Sequence, residues 1–65
     1  MTFIFTLKGL PGESDMVIPA FCNGPDHAKA RARDLLARHP GRHIVEVAHR
    51  GKPIFRLGTP PALEL

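Results

Sequence analysis

Apolar and polar side chains alternate along Thr2 to Lys8, with Phe3, Phe5 and Leu7 set against Thr2, Ile4, Thr6 and Lys8. A period of two sends successive side chains to opposite faces of an extended chain, so this stretch predicts a half-buried β-strand. Gly9-Leu10-Pro11-Gly12-Glu13-Ser14 follows, and its glycines and proline supply the backbone angles of a turn. A second strand is predicted from about Asp15 to Cys22. Pro19 lies inside it and has no N–H for a ladder, which puts this strand at a sheet edge or at a bulge.

The period changes after Asn23-Gly24-Pro25-Asp26, where Asn23, Gly24 and Asp26 are candidate caps and Pro25 suits a first helical turn. From there to about His39 the residues Ala28, Ala32, Leu35, Leu36 and His39 fall on one side of a helix. The alanines let that side approach a sheet closely. Pro40-Gly41 ends the helix, because proline cannot continue the ladder and glycine accepts a left-handed terminal conformation.

Alternation returns from Arg42 to Arg50, with His43, Val45, Val47 and His49 opposed to Ile44, Glu46 and Ala48. Gly51 permits a tight reversal. Lys52 to Leu57 then predicts the last strand, carrying Phe55 and Leu57 on one face and Ile54 and Arg56 on the other. The fold class is α+β: ββαββ, a four-stranded, mainly antiparallel sheet with one helix packed on one face. It forms a single domain over residues 1–58, followed by a C-terminal tail, 59–65.

One helix covers one face. With Phe3, Phe5, Val45, Val47, Phe55 and Leu57 as the helix-facing core, Ile4, Ile44, Ile54 and Ala48 lie on the open face and form the expected oligomer interface. Size supports this, since a chain of 65 residues buries only about 60% of its unfolded surface and gains stability by association. The expected partner is a second copy, in a homo-oligomer.

Cys22 is the only cysteine, so no intrachain disulfide forms, and a lone thiol fits a reducing, cytoplasmic compartment. The N-terminal stretch reads as a strand and not as a signal peptide. No apolar run approaches the roughly 20 residues needed to cross a bilayer, so no membrane association is expected.

The net charge of +3 is uneven: residues 27 to 56 carry eight Lys or Arg against two acids. Arg50 and Lys52 bracket the Gly51 turn, and with Arg31 and Arg38 on the helix they are the candidate nucleic-acid contacts. Lys29 and Arg33 fall on the opposite flank of the helix from Arg31 and Arg38, so the helix alone makes no single phosphate-tracking stripe. Tyr and Trp, the commonest stacking platforms besides Phe, are absent.

His27, His39, His43, His49 and Cys22 are the candidate zinc ligands, but Pro40-Gly41 separates His39 from His43 and there is no CxxC pair. No metal or cofactor is expected. Cys22 beside a helix start, five residues from His27, has the elements of a nucleophile without an orienting group or oxyanion site. No nucleotide-binding or hydrolase motif occurs, and no catalytic residue is assigned. Asp34 and Arg38 stand four apart, the spacing of a surface pair on a helix.

From Asp26 to Leu57, the Ala/Arg-rich helix ending in Leu35-Leu36, the Pro40-Gly41 break, Val45-Glu46-Val47 and the glycine-turned hairpin resemble small uncharacterised bacterial ββαββ proteins. The resemblance implies that fold and transfers no functional residue. Richness in Ala, Arg, Gly and Pro agrees with a bacterial source. The expected function is a non-enzymatic accessory or binding module acting as a homo-oligomer, with a nucleic-acid-binding regulator as the alternative.

Overall fold

In the computed structural model, which describes residues 1–59, the alternating N-terminal stretch forms β1, Thr2–Lys8. Leu10-Pro11-Gly12-Glu13 reverses the chain: the Glu13 N–H donates to the Leu10 carbonyl at 3.1 Å, and Gly12 has φ +91°. A type II turn requires a positive φ at its third residue, here Gly12, and favours proline at its second, here Pro11. The Glu13 carboxylate closes the loop by accepting from the Leu10 N–H at 3.1 Å.

β2, Met16–Phe21, is one residue shorter at each end than expected and pairs antiparallel with β1. Cys22 still donates its N–H to the Met1 carbonyl at 2.8 Å. The helix α1 occupies Pro25–Arg38, with Gly24 as its N-cap and no side-chain cap. Instead, the His27 ring reaches back and accepts from the Asn23 N–H at 3.0 Å, satisfying a donor that the helix start would otherwise leave to water. At the other end His39 is the C-cap and not the last helical residue, with Arg42 N–H donating to its carbonyl at 2.8 Å.

β3, Ile44–His49, and β4, Lys52–Gly58, form a hairpin joined by Arg50 and Gly51. Both turn residues have positive φ, +53° and +77°, so the two-residue connection follows the twist of the flanking strands. β3 begins two residues later than the alternation suggests and ends one earlier, because Arg42 is held in the α1–β3 connection. There its guanidinium donates to the Ser14 carbonyl at 2.7 Å.

The strands lie in the order β2-β1-β3-β4, every neighbouring pair antiparallel. α1 rests on β1, β3 and β4 and makes no close approach to β2. Beneath it Phe3, Phe5, Leu7, Val45 and Val47 meet Ala28, Ala32 and Leu35, and Cys22 completes this buried cluster. Phe55 and Leu57, expected in the core, are only half-buried, because β4 is an edge strand and the helix covers it partially. The tail prediction for residues 60–65 lies outside the described residues.

Candidate functional site

Pairing places residues of different strands at common levels on the face turned away from α1. Pro19 stands opposite Ile4, Ile4 opposite Ala48, and Ala48 opposite Pro53. One apolar row therefore crosses all four strands. Phe21 pairs with Thr2 at the next level towards the Arg50-Gly51 turn, and Val17 with Thr6 at the next level towards the β1–β2 turn. Phe21 is 71% exposed and Val17 58%, among the largest exposures of any sizeable apolar side chain in the fold.

A bulge between β3 and β4 adds to this surface. Val47 pairs with Phe55 and Ala48 with Pro53, so Ile54 is an extra residue without a partner. It is 41% exposed and lines an outer groove together with Thr6, Glu46, Ala48, Pro53 and Arg56. Glu46 holds two cations across the strands, Lys8 Nζ at 3.3 Å and Arg56 Nη1 at 3.6 Å. All three side chains remain substantially exposed, so each pair contributes under about 1 kcal/mol.

The register also shows which backbone groups are left at the two sheet edges. The Cys22 N–H bond to Met1 fixes the alternation of β2: Met16, Ile18 and Ala20 direct their backbone groups to β1, whereas Val17, Pro19 and Phe21 direct theirs outward. Pro19 thus removes the middle donor from a free edge and breaks no bond to β1. Pro53 does the same on β4, since it faces Ala48, whose own backbone groups serve β1. Prolines at both edges obstruct addition of another strand.

Of the four residues the sequence assigns to an interface, Ile4, Ala48 and Ile54 come together on this face. Ile44 shares the face but sits opposite Lys8 at the far level, with Glu46 between it and Ala48. Sequence reasoning missed Val17 and Phe21. Met16 to Phe21, apolar at all six positions, signals apolar side chains on both faces of an edge strand but does not mark which of them face outward.

The candidate nucleic-acid contacts do not meet in one patch. Arg50 and Lys52 flank the turn at the Thr2 end of the sheet, whereas Arg38 ends the helix at the Lys8 end, about 20 Å away at the rise of a β-strand. Arg31 lies midway along the exposed side of α1.

Cys22 is fully buried where β2 passes to α1. His27 Nδ1 accepts a backbone N–H, so its hydrogen lies on Nε2. His49 Nδ1 lies 2.9 Å from the Thr2 carbonyl, which can only accept, so this nitrogen carries a hydrogen. The His49 ring also packs against Phe3, with centroids 5.0 Å apart. Among the described residues no three His, Cys, Asp or Glu side chains gather where a metal could be held. No described helix is long and apolar enough to cross a membrane.

No protein-family model matches the chain, and neither a curated protein nor a solved structure matches it.

Proposed function

We propose that this chain is a non-enzymatic binding module that works as a homo-oligomer through the outer face of its sheet. The observation that carries the reading is the apolar row Pro19, Ile4, Ala48 and Pro53 crossing all four strands, extended by Phe21, Val17 and Ile54. Covering such a row removes apolar area from water at about 25 cal/mol per Å². A domain this small gains from that burial where it has little core of its own. The edge prolines favour association by the face over association by strand addition.

A binding role fits the dispersed chemistry better than a catalytic one. Cys22 is sealed from substrate, and His27 is engaged at the helix start. The buried, unpaired thiol supports a reducing, cytoplasmic setting, and the composition supports a bacterial one.

Light scattering across a concentration series tests the proposal: the native chain is expected to exceed monomer mass, and Phe21→Asp to return it to monomer. A native chain that stays monomeric at millimolar concentration overturns it. The second reading, nucleic-acid binding, is favoured by the exposed pair Arg50 and Lys52 on either side of the β3–β4 turn. It requires retention on heparin that weakens as salt rises and falls further in Lys52→Ala.

A further inference from the structure

The outer face is patterned so that it matches itself. Taking the Pro19-Ile4-Ala48-Pro53 row as a centre line, the level on one side holds Phe21 on β2 and Thr2 on β1. Continuing the β1–β3 register by one further level places Arg50 beside Thr2, and Arg50 does line a surface hollow with Thr2 and Ile4. The level on the other side holds Val17 on β2, Thr6 on β1 and Glu46 on β3. On β2, β1 and β3 the two levels pair apolar with apolar, hydroxyl with hydroxyl and base with acid, while on the edge strand β4 Arg56, level with Glu46, has only the Gly51 turn as its counterpart.

We infer that two copies stack face to face about a two-fold axis running along the apolar row, with strands of one copy antiparallel to the same strands of the other. This rests on the homo-oligomer reading above and adds its geometry. A two-fold interface must use one patch twice, so the patch has to complement itself under the rotation. Rotation about this axis sets Phe21 against Val17 of the second copy, Thr2 against Thr6, and Arg50 against Glu46, each contact occurring twice. Ile4 and Ala48 meet their own equivalents. Stacked sheets cross at about 30°, which displaces matched positions by about one strand spacing at the corners and less towards the centre.

The other face-to-face rotation, about an axis parallel to the strands, fits worse. It lays Val17 over Arg56, Thr6 over Glu46 and Thr2 over Arg50, so no charge meets an opposite charge across the interface. The chosen axis leaves Lys8 and Arg56 towards the rim, where water still reaches them. Four strands about 4.8 Å apart and three levels about 6.8 Å apart give a footprint of roughly 400 Å² per copy, below the roughly 1,000 Å² in total that a stable interface buries. The dimer is therefore weak and depends on concentration.

Charge exchange tests the geometry. Glu46→Arg sets arginine against Arg50 of the second copy, and Arg50→Glu sets glutamate against Glu46, so each variant alone should raise the dimer dissociation constant about tenfold or more. An equimolar mixture restores both contacts in the heterodimer and should return to within about threefold of the native value. Circular dichroism confirms that each variant is folded. If either fails to fold, Ile4→Cys replaces it: its thiol faces its own equivalent and should be joined by a short bis-maleimide, whereas Ile44→Cys, beyond the overlap, should not. A native dimer that Phe21→Asp disrupts but the mixture does not restore overturns the axis and leaves the face reading standing. A native chain that never dimerises overturns both.

Discussion

On the helix side of the sheet Phe3, Phe5, Leu7, Val45 and Val47 are sealed, whereas on the outer side Ile4, Ile44 and Ala48 stand in the same strands with no described element over them. Both sets are apolar and alternate with each other along the chain. What separates them is one helix of 14 residues, about 10 Å across, set over a sheet about 19 Å wide. A side chain contributes to stability only where something covers it, so the first face carries the fold and the second is left to act on other molecules.

Substitutions on the two faces should differ most. Phe5→Ala empties the centre of the sealed side and is expected to cost about 3–5 kcal/mol, comparable with the whole stability of a domain this small, so it should abolish the urea transition. Gly58→Ala comes next. Gly58 has φ +98°, and a Cβ there would collide with the His43 carbonyl oxygen, so a loss of more than about 2 kcal/mol is expected in thermal melts. Gly41, with open space around it, is the control.

On the outer side Phe21→Ser should change monomer stability by less than about 0.5 kcal/mol in denaturant unfolding at low concentration. If it unfolds the isolated chain instead, the division between the faces is wrong. The smallest effect should come from neither face: Asp34→Asn removes the 3.0 Å ion pair with Arg38 on the exposed flank of α1, worth about 0.3–0.5 kcal/mol and erased by salt.

The sealed side was readable from sequence because β1 and β3 alternate cleanly, and a period of two assigns every residue of such a strand to a face. β2 was not, since Met16 to Phe21 contains no polar residue to mark its outward positions. Its faces are set by the register with β1, which is a property of pairing and not of local pattern. The bulge at Ile54 was hidden for a similar reason: the extra residue is visible only once Val47 and Ala48 have been matched to Phe55 and Pro53. Pro19 did announce an edge, but the direction of its nitrogen required the ladder itself.

The strand order has a bearing on how the chain reaches this state. β1 is the first strand in sequence yet lies inside the sheet, hydrogen-bonded on one side to its neighbour β2 and on the other to β3, which follows only after the helix. As the polypeptide leaves the ribosome, the β1–β2 hairpin therefore spends an interval with the Ile4 flank of β1 unpaired. Closing the large loop between Ile4 and Ala48 should then be the slow step of assembly. During that interval the nascent hairpin, and not the finished domain, is the species most open to mispairing and to capture by chaperones.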